Sequence, residues 1–145
     1  MAFFMPDSNC IIALVSQWHP KRSDVRDALE SRLTGGDVLL VAGHSAIESY
    51  SVLTRLTPPY RMAPAVAFQL IRANVLDYAS AVLPLTSEDY QRVLRDAPGK
   101  AISGGRIYDA LIAACAVAGG VDEILTLNAK HFMGLDLGSV RVVTP

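Results

Sequence analysis

The sequence predicts an α/β protein of three layers, α/β/α, built around a central, mostly parallel five-stranded sheet. Three observations carry that expectation. Five short apolar runs alternate with longer segments at helical spacing, which is how strands connected by crossover helices read in sequence. The run Val38-Leu39-Leu40-Val41-Ala42 has no polar residue, as expected of a strand covered on both faces. Breaker residues follow the helical segments: Gly35-Gly36, Pro58-Pro59 and Gly119-Gly120.

In chain order, Phe3 to Met5 is a short strand, followed by helices from Asn9 to Gln17 and from about Ser23 to Leu33. After the Val38 to Ala42 strand, a helix opens at Ser45 and runs to about Leu56. Pro64 begins another, to about Tyr78. Ala81 to Leu85 reads as the third strand. Ser87 caps a helix to about Asp96, and a polar loop spans Pro98 to Gly105. Arg106 to Ala118 is helical; Ile124 to Leu127 and Val140 to Val143 complete the strands.

The 145 residues suit one domain, residues 1–145, with no repeat or dividing linker. At 51% hydrophobic and 19% charged, the composition excludes the disordered class. The net charge of −1 excludes a nucleic-acid binder that works by a global basic field. Cys10 and Cys115 match no zinc spacing and read as reduced, buried thiols, which suits a cytoplasmic protein. The start MAFFMPDSN has no basic segment and is broken by Pro6 and Asp7, unlike a signal peptide. No apolar run approaches a membrane span.

Three acids stand alone in apolar surroundings. Asp7 is the only charged side chain from Met1 through Pro20, Glu48 from Val38 through Thr54, and Asp109 from Tyr108 through Val121. Each follows a strand end or lies at a helix start, and parallel sheets bind ligands beyond the carboxyl ends of their strands. A carboxylate at the margin of a core is costly unless paired or bound to a cation. Hard divalent cations take carboxylate oxygens together with water. Local readings stand beside this one. Ser45 to Glu48 forms a capping box, Asp109 suits a helix N-terminus, and Asp7 can cap the following helix. Thr126 and Asn128 offer side-chain oxygens after the fourth strand, and Asn128 can equally begin a short turn ending at Phe132.

Taken together, Phe4-Met5-Pro6-Asp7-Ser8-Asn9, His44-Ser45-Ala46-Ile47-Glu48, Gly105 to Ala113, and Ile124-Leu125-Thr126-Leu127-Asn128 with His131-Phe132 resemble PIN-domain proteins, and among them the VapC toxins of bacterial toxin–antitoxin pairs. The resemblance runs from about Phe3 to the C-terminus. It implies an endoribonuclease in which Asp7, Glu48 and Asp109 hold Mg²⁺ or Mn²⁺ and Asn128 joins the catalytic set. Ser8, Arg106 and Thr126 then contact substrate or solvent. It also implies a cognate antitoxin and a homodimer. The chain departs from the family at one motif: many members carry Asp where this chain has Asn128, which leaves one negative charge fewer for a second ion, and His131-Phe132 stands where an acid-Phe ending is usual.

Grip on RNA is expected from Arg92, Arg95, Lys100 and Arg106 before Asp109, and from Arg55 and Arg61 near the helix of Glu48. The spacing of His19, His44 and His131 does not make a site, and His131 reads as a turn anchor. The alternative is a non-catalytic PIN fold that binds RNA or protein, favoured by Asn128. A haloacid-dehalogenase-like phosphotransferase requires an Asp where Asn9 stands, and a receiver domain requires an acidic pair before Asp7.

Overall fold

The computed structural model describes residues 1–145. The elements are β1 (Phe3–Pro6), α1 (Ser8–Val15), α2 (Arg22–Thr34), β2 (Val38–Ala42), α3 (Gly43–Arg55), α4 (Pro64–Ile71), β3 (Ala81–Leu83), α5 (Ser87–Asp96), α6 (Arg106–Ala118), β4 (Glu123–Leu125) and β5 (Arg141–Val143). The strands form one sheet in the order β3-β2-β1-β4-β5. Every pair is parallel, where the sequence predicts a mostly parallel sheet.

The strands alternate their side chains between two cores, as a pleated backbone requires. Phe4, Leu39, Val41 and Leu125 face a core that takes Ile11, Leu14, Val25, Leu29, Leu53 and Ile71 from α1 to α4. Met5, Leu40, Ala42 and Ile124 face a second core with Ile112, Ala113, Cys115 and Ala116 of α6, joined by Phe132 and Val140. Burying each of the larger side chains contributes about 1.5–3 kcal/mol, so both faces of the thin sheet are covered by helices. Both cysteines are buried and reduced, and burial pushes their thiols up to about 12 for Cys10 and about 11 for Cys115.

Several local expectations change: the helix cap expected at Ser87 lies at Thr86, which forms a capping box with Asp89, and the third strand stops at Leu83. The helix expected from Ser45 starts earlier, at Gly43, with no side-chain cap, so Ser45 and Glu48 form no capping box. Ser45, Ser49 and Leu53 instead form the buried stripe of α3, and the small serines let it lie close against α1. The helix expected from Pro64 to Tyr78 changes pitch at a π-helical turn, Arg72–Leu76. There the Asn74 side-chain Nδ2 donates to the Leu70 carbonyl at 2.8 Å, an insertion that such turns accommodate. The fourth strand ends at Leu125, so Thr126 and Leu127 belong to the loop beyond it.

The order β3-β2-β1-β4-β5 has its switch point between β1 and β4: the chain builds outward from β1 on one side, then returns to its other side. Strand ends flanking such a point leave a crevice at their carboxyl edge. Asp7 follows β1 there, and Thr126 follows β4.

Candidate metal-dependent active site

Asp7 is fixed by three contacts. Its amide donates to the Leu125 carbonyl at 2.8 Å, extending the β1–β4 ladder by one bond. As the N-cap of α1, its Oδ1 accepts from the Ser8 amide at 2.7 Å, so the local reading of this residue holds as well. Its Oδ2 accepts from the Thr126 hydroxyl at 2.9 Å. The same hydroxyl oxygen accepts from the Asn128 amide at 3.0 Å and from Asn9 Nδ2 at 3.2 Å, while Asn9 Oδ1 accepts from the Leu127 amide at 3.1 Å. Asn9, which in sequence stands out only as a missing acid, thus locks the start of α1 to the end of β4.

Glu48 arrives from α3 and Asp109 from the first turn of α6. With Asp7, Ser8, Asn9, Ser103, Gly105, Arg106, Asn128 and His131 they line one open pocket of about 470 Å³ that carries no hydrophobic side chain. Of the seven residues expected at the site, only Thr126 is not on the wall; it lies fully buried behind Asp7.

The pocket is negative and poorly compensated. Burial pushes the Asp7 carboxyl up to about 6; the bonds from Thr126 and Ser8 pull it down, and the charges of Asp109 and Glu48 push it up again. Burial also raises Asp109; His131 and Arg106 pull it down, and the charge of Glu48 pushes it up with burial. Two histidines border the acids: His131 Nδ1 lies 3.3 Å from Asp109 Oδ2, and His44 Nε2 lies 3.1 Å from Glu48 Oε2. His44 is four residues before Glu48 on one helix, a spacing that makes neighbours and that could have linked them from sequence. His131 also anchors its turn as expected, with Asn128 Nδ2 2.9 Å from its Nε2.

The expected cation cluster disperses. Only Arg106 lines the acidic pocket, its guanidinium reaching the carbonyls of His131 at 3.4 Å and Met133 at 3.5 Å. Arg92 and Lys100 line a different cavity beside Asp96 and Asp136, and Arg92 is paired with Asp89 at 3.2 Å. Arg95 is exposed on α5, and Arg55 and Arg61 are exposed away from the pocket.

The donor set fits a hard divalent cation in its chemistry. The lining is oxygen-rich, three carboxylates repel one another across it, and the Ser8 hydroxyl is buried beside it without a partner. No three His, Cys, Asp or Glu side chains are drawn together as a closed cage. One or two carboxylates with several waters is the usual way Mg²⁺ is held.

The PIN-domain family model matches residues 4–132, and ribonuclease VapC40 of Mycobacterium tuberculosis is 35% identical over 126 residues, 86% of each chain. The chain belongs to the PIN-domain family. Ribonuclease VapC27 of the same species is 38% identical over 90 residues, 62% of each chain. Among solved structures, VapBC2 from Rickettsia felis, bound to a promoter DNA fragment, aligns with a TM-score of 0.69 at 14% identity over 99% of this chain and 98% of its own. M. tuberculosis VapC20, a sarcin–ricin loop cleaving toxin, aligns with a TM-score of 0.62 at 13% identity, covering 83% and 86%. At such identities these two structures share the fold. The PIN architecture accounts for the parallel sheet covered by helices on both faces. No helix is long and apolar enough to cross a membrane.

Proposed function

We propose that the chain is a divalent-cation-dependent endoribonuclease acting as the toxin of a toxin–antitoxin pair. One observation carries the catalytic part. Three acids from three otherwise uncharged segments line a single polar pocket at the switch point of the sheet. Asp7 also caps α1 and accepts from Thr126, and His44 and His131 stand beside Glu48 and Asp109, but these contacts leave three carboxylates on one wall; a bound cation offsets the charge they bring together. The names of the relatives, ribonucleases VapC40 and VapC27, a sarcin–ricin loop cleaving toxin and the VapBC2 assembly, support RNA as substrate and an antitoxin as partner. A homodimer belongs to the same reading.

Asp7, Glu48 and Asp109 would hold Mg²⁺ or Mn²⁺, with the Ser8 hydroxyl and Asn128 contacting solvent or phosphate. The cation supplies charge neutralisation at the scissile phosphate and an acidified water. The protein's own part is positional. Thr126 and the Ser8 amide fix both oxygens of Asp7, keeping one carboxylate in a defined orientation before the phosphate arrives. Arg106, the one cation on the wall, attracts the RNA backbone.

RNA cleavage by the purified chain with Mg²⁺ or Mn²⁺, with chelator, and by Asp7→Asn and Asp109→Asn tests this reading. Cleavage that requires the cation and vanishes in both variants is expected. Cleavage that survives in both would make the carboxylates structural, and cation binding without cleavage of any RNA would favour the non-catalytic binding module.

A further inference from the structure

Next to the pocket-lining acids Glu48 and Asp109, the ring of His44 stacks on that of Tyr108, with centroids 4.8 Å apart and planes 25° from parallel. The two rings bridge α3 and α6, the helices that carry Glu48 and Asp109. Each is one step from the pocket: His44 contacts Glu48 at 3.1 Å, and Tyr108 directly precedes Asp109. Tyr108 nonetheless keeps 45% of its surface exposed. His44 covers one face of the ring, and nearly half of the residue's surface stays accessible.

A polyanion needs such a surface here. The chain's net charge is −1, the pocket holds three carboxylates, and Arg106 is its single cationic Lys or Arg. Phosphate attraction, the usual main source of affinity for nucleic acid, is therefore weak at this site. Stacking of unpaired bases on aromatic side chains is the alternative source; it carries no charge and tolerates any base.

We propose that Tyr108, backed by His44, is a stacking platform for an unpaired RNA base next to the scissile phosphate. A base would extend the two-ring stack to three and place its phosphate toward the carboxylates. The platform favours unpaired over double-stranded RNA, because paired bases have both faces occupied. It rests on the ribonuclease reading and adds a specific subsite to it.

The test uses the full chain carrying Asp7→Asn, which prevents cleavage, and single-stranded RNA decamers with one 2-aminopurine stepped through the sequence. One position should show fluorescence quenching on binding. Adding Tyr108→Leu should remove that quenching and weaken binding about tenfold, on the scale of one lost base stack. Tyr108→Phe, which keeps the ring, should restore both. Unchanged affinity and quenching with Leu would overturn the platform while leaving the ribonuclease reading intact. A parent that binds none of the RNAs would overturn the platform, and cleavage of the same RNAs by the chain with Asp7 intact would tell separately whether the ribonuclease reading falls with it.

Discussion

The Thr126 hydroxyl donates to Asp7 Oδ2 at 2.9 Å across 119 residues of sequence, while its oxygen accepts from the Asn128 amide and the Asn9 side chain. One fully buried hydroxyl therefore joins the ends of β1 and β4 and sets the orientation of the central carboxylate. Thr126→Val keeps the shape and removes all three bonds. Leaving buried polar groups unpaired should cost about 1–3 kcal/mol of stability, measured by urea unfolding. Since the Thr126 bond holds the Asp7 carboxyl down, the acid limb of the pH–rate profile should move to higher pH. Thr126→Ser should move neither by much.

Asp7 also makes the cation-free fold pH-sensitive. Its carboxyl stands at about 6 in the folded chain against a usual 3.8, so between those values the folded state holds more of the proton than the unfolded state. Stability is then lost as pH rises through that window, by about 3 kcal/mol when complete. Asp7→Asn cannot ionise. In chelator, the melting temperature of Asp7→Asn relative to the unsubstituted chain should rise from pH 4 to pH 7. A constant difference would mean that Asp7 is not desolvated.

Cation binding should reverse that loss. Mg²⁺ or Mn²⁺ at a hundredfold over its dissociation constant stabilises a fold by about 2.7 kcal/mol, several degrees in melting temperature for a chain of this size. The shift should be present in the unsubstituted chain at pH 7 and largely lost in Asp7→Asn and Asp109→Asn. Asn128→Asp adds a carboxylate to the lining and should lower the cation concentration at the midpoint of the same titration.

Arg106 is the one arginine on the pocket wall. Arg106→Ala should weaken RNA binding several-fold at low salt. It should also flatten the dependence of log affinity on log salt by roughly 0.7 for each single-strand phosphate that is no longer neutralised. Arg95→Ala, exposed on α5 and outside the pocket, should leave that slope unchanged. Equal slopes for the two variants would mean that RNA enters elsewhere.

The fold class, the order of the elements and the three isolated acids were legible in sequence, because apolar runs, breakers and unpaired charges are local properties of the chain. Asp7, Glu48 and Asp109 stood out because charge is rare where the segment must be buried. What the local pattern could not show is which strand ends meet. The switch point between β1 and β4 decided that Thr126 stands behind Asp7 instead of on the wall, and that Asn9 ties the two strand ends together. The packing of α3 on α1 turned an apparent capping box into a buried serine stripe. The arginines grouped in sequence separated because α5 faces a different cavity, and His131 came to Asp109 because a short turn folds back onto α6; the contact of His44 with Glu48, four residues on along α3, is set by helical spacing alone. Sequence spacing fixes neighbours along one element; contacts between elements depend on how the layers stack, and that is settled only when the whole core is buried at once.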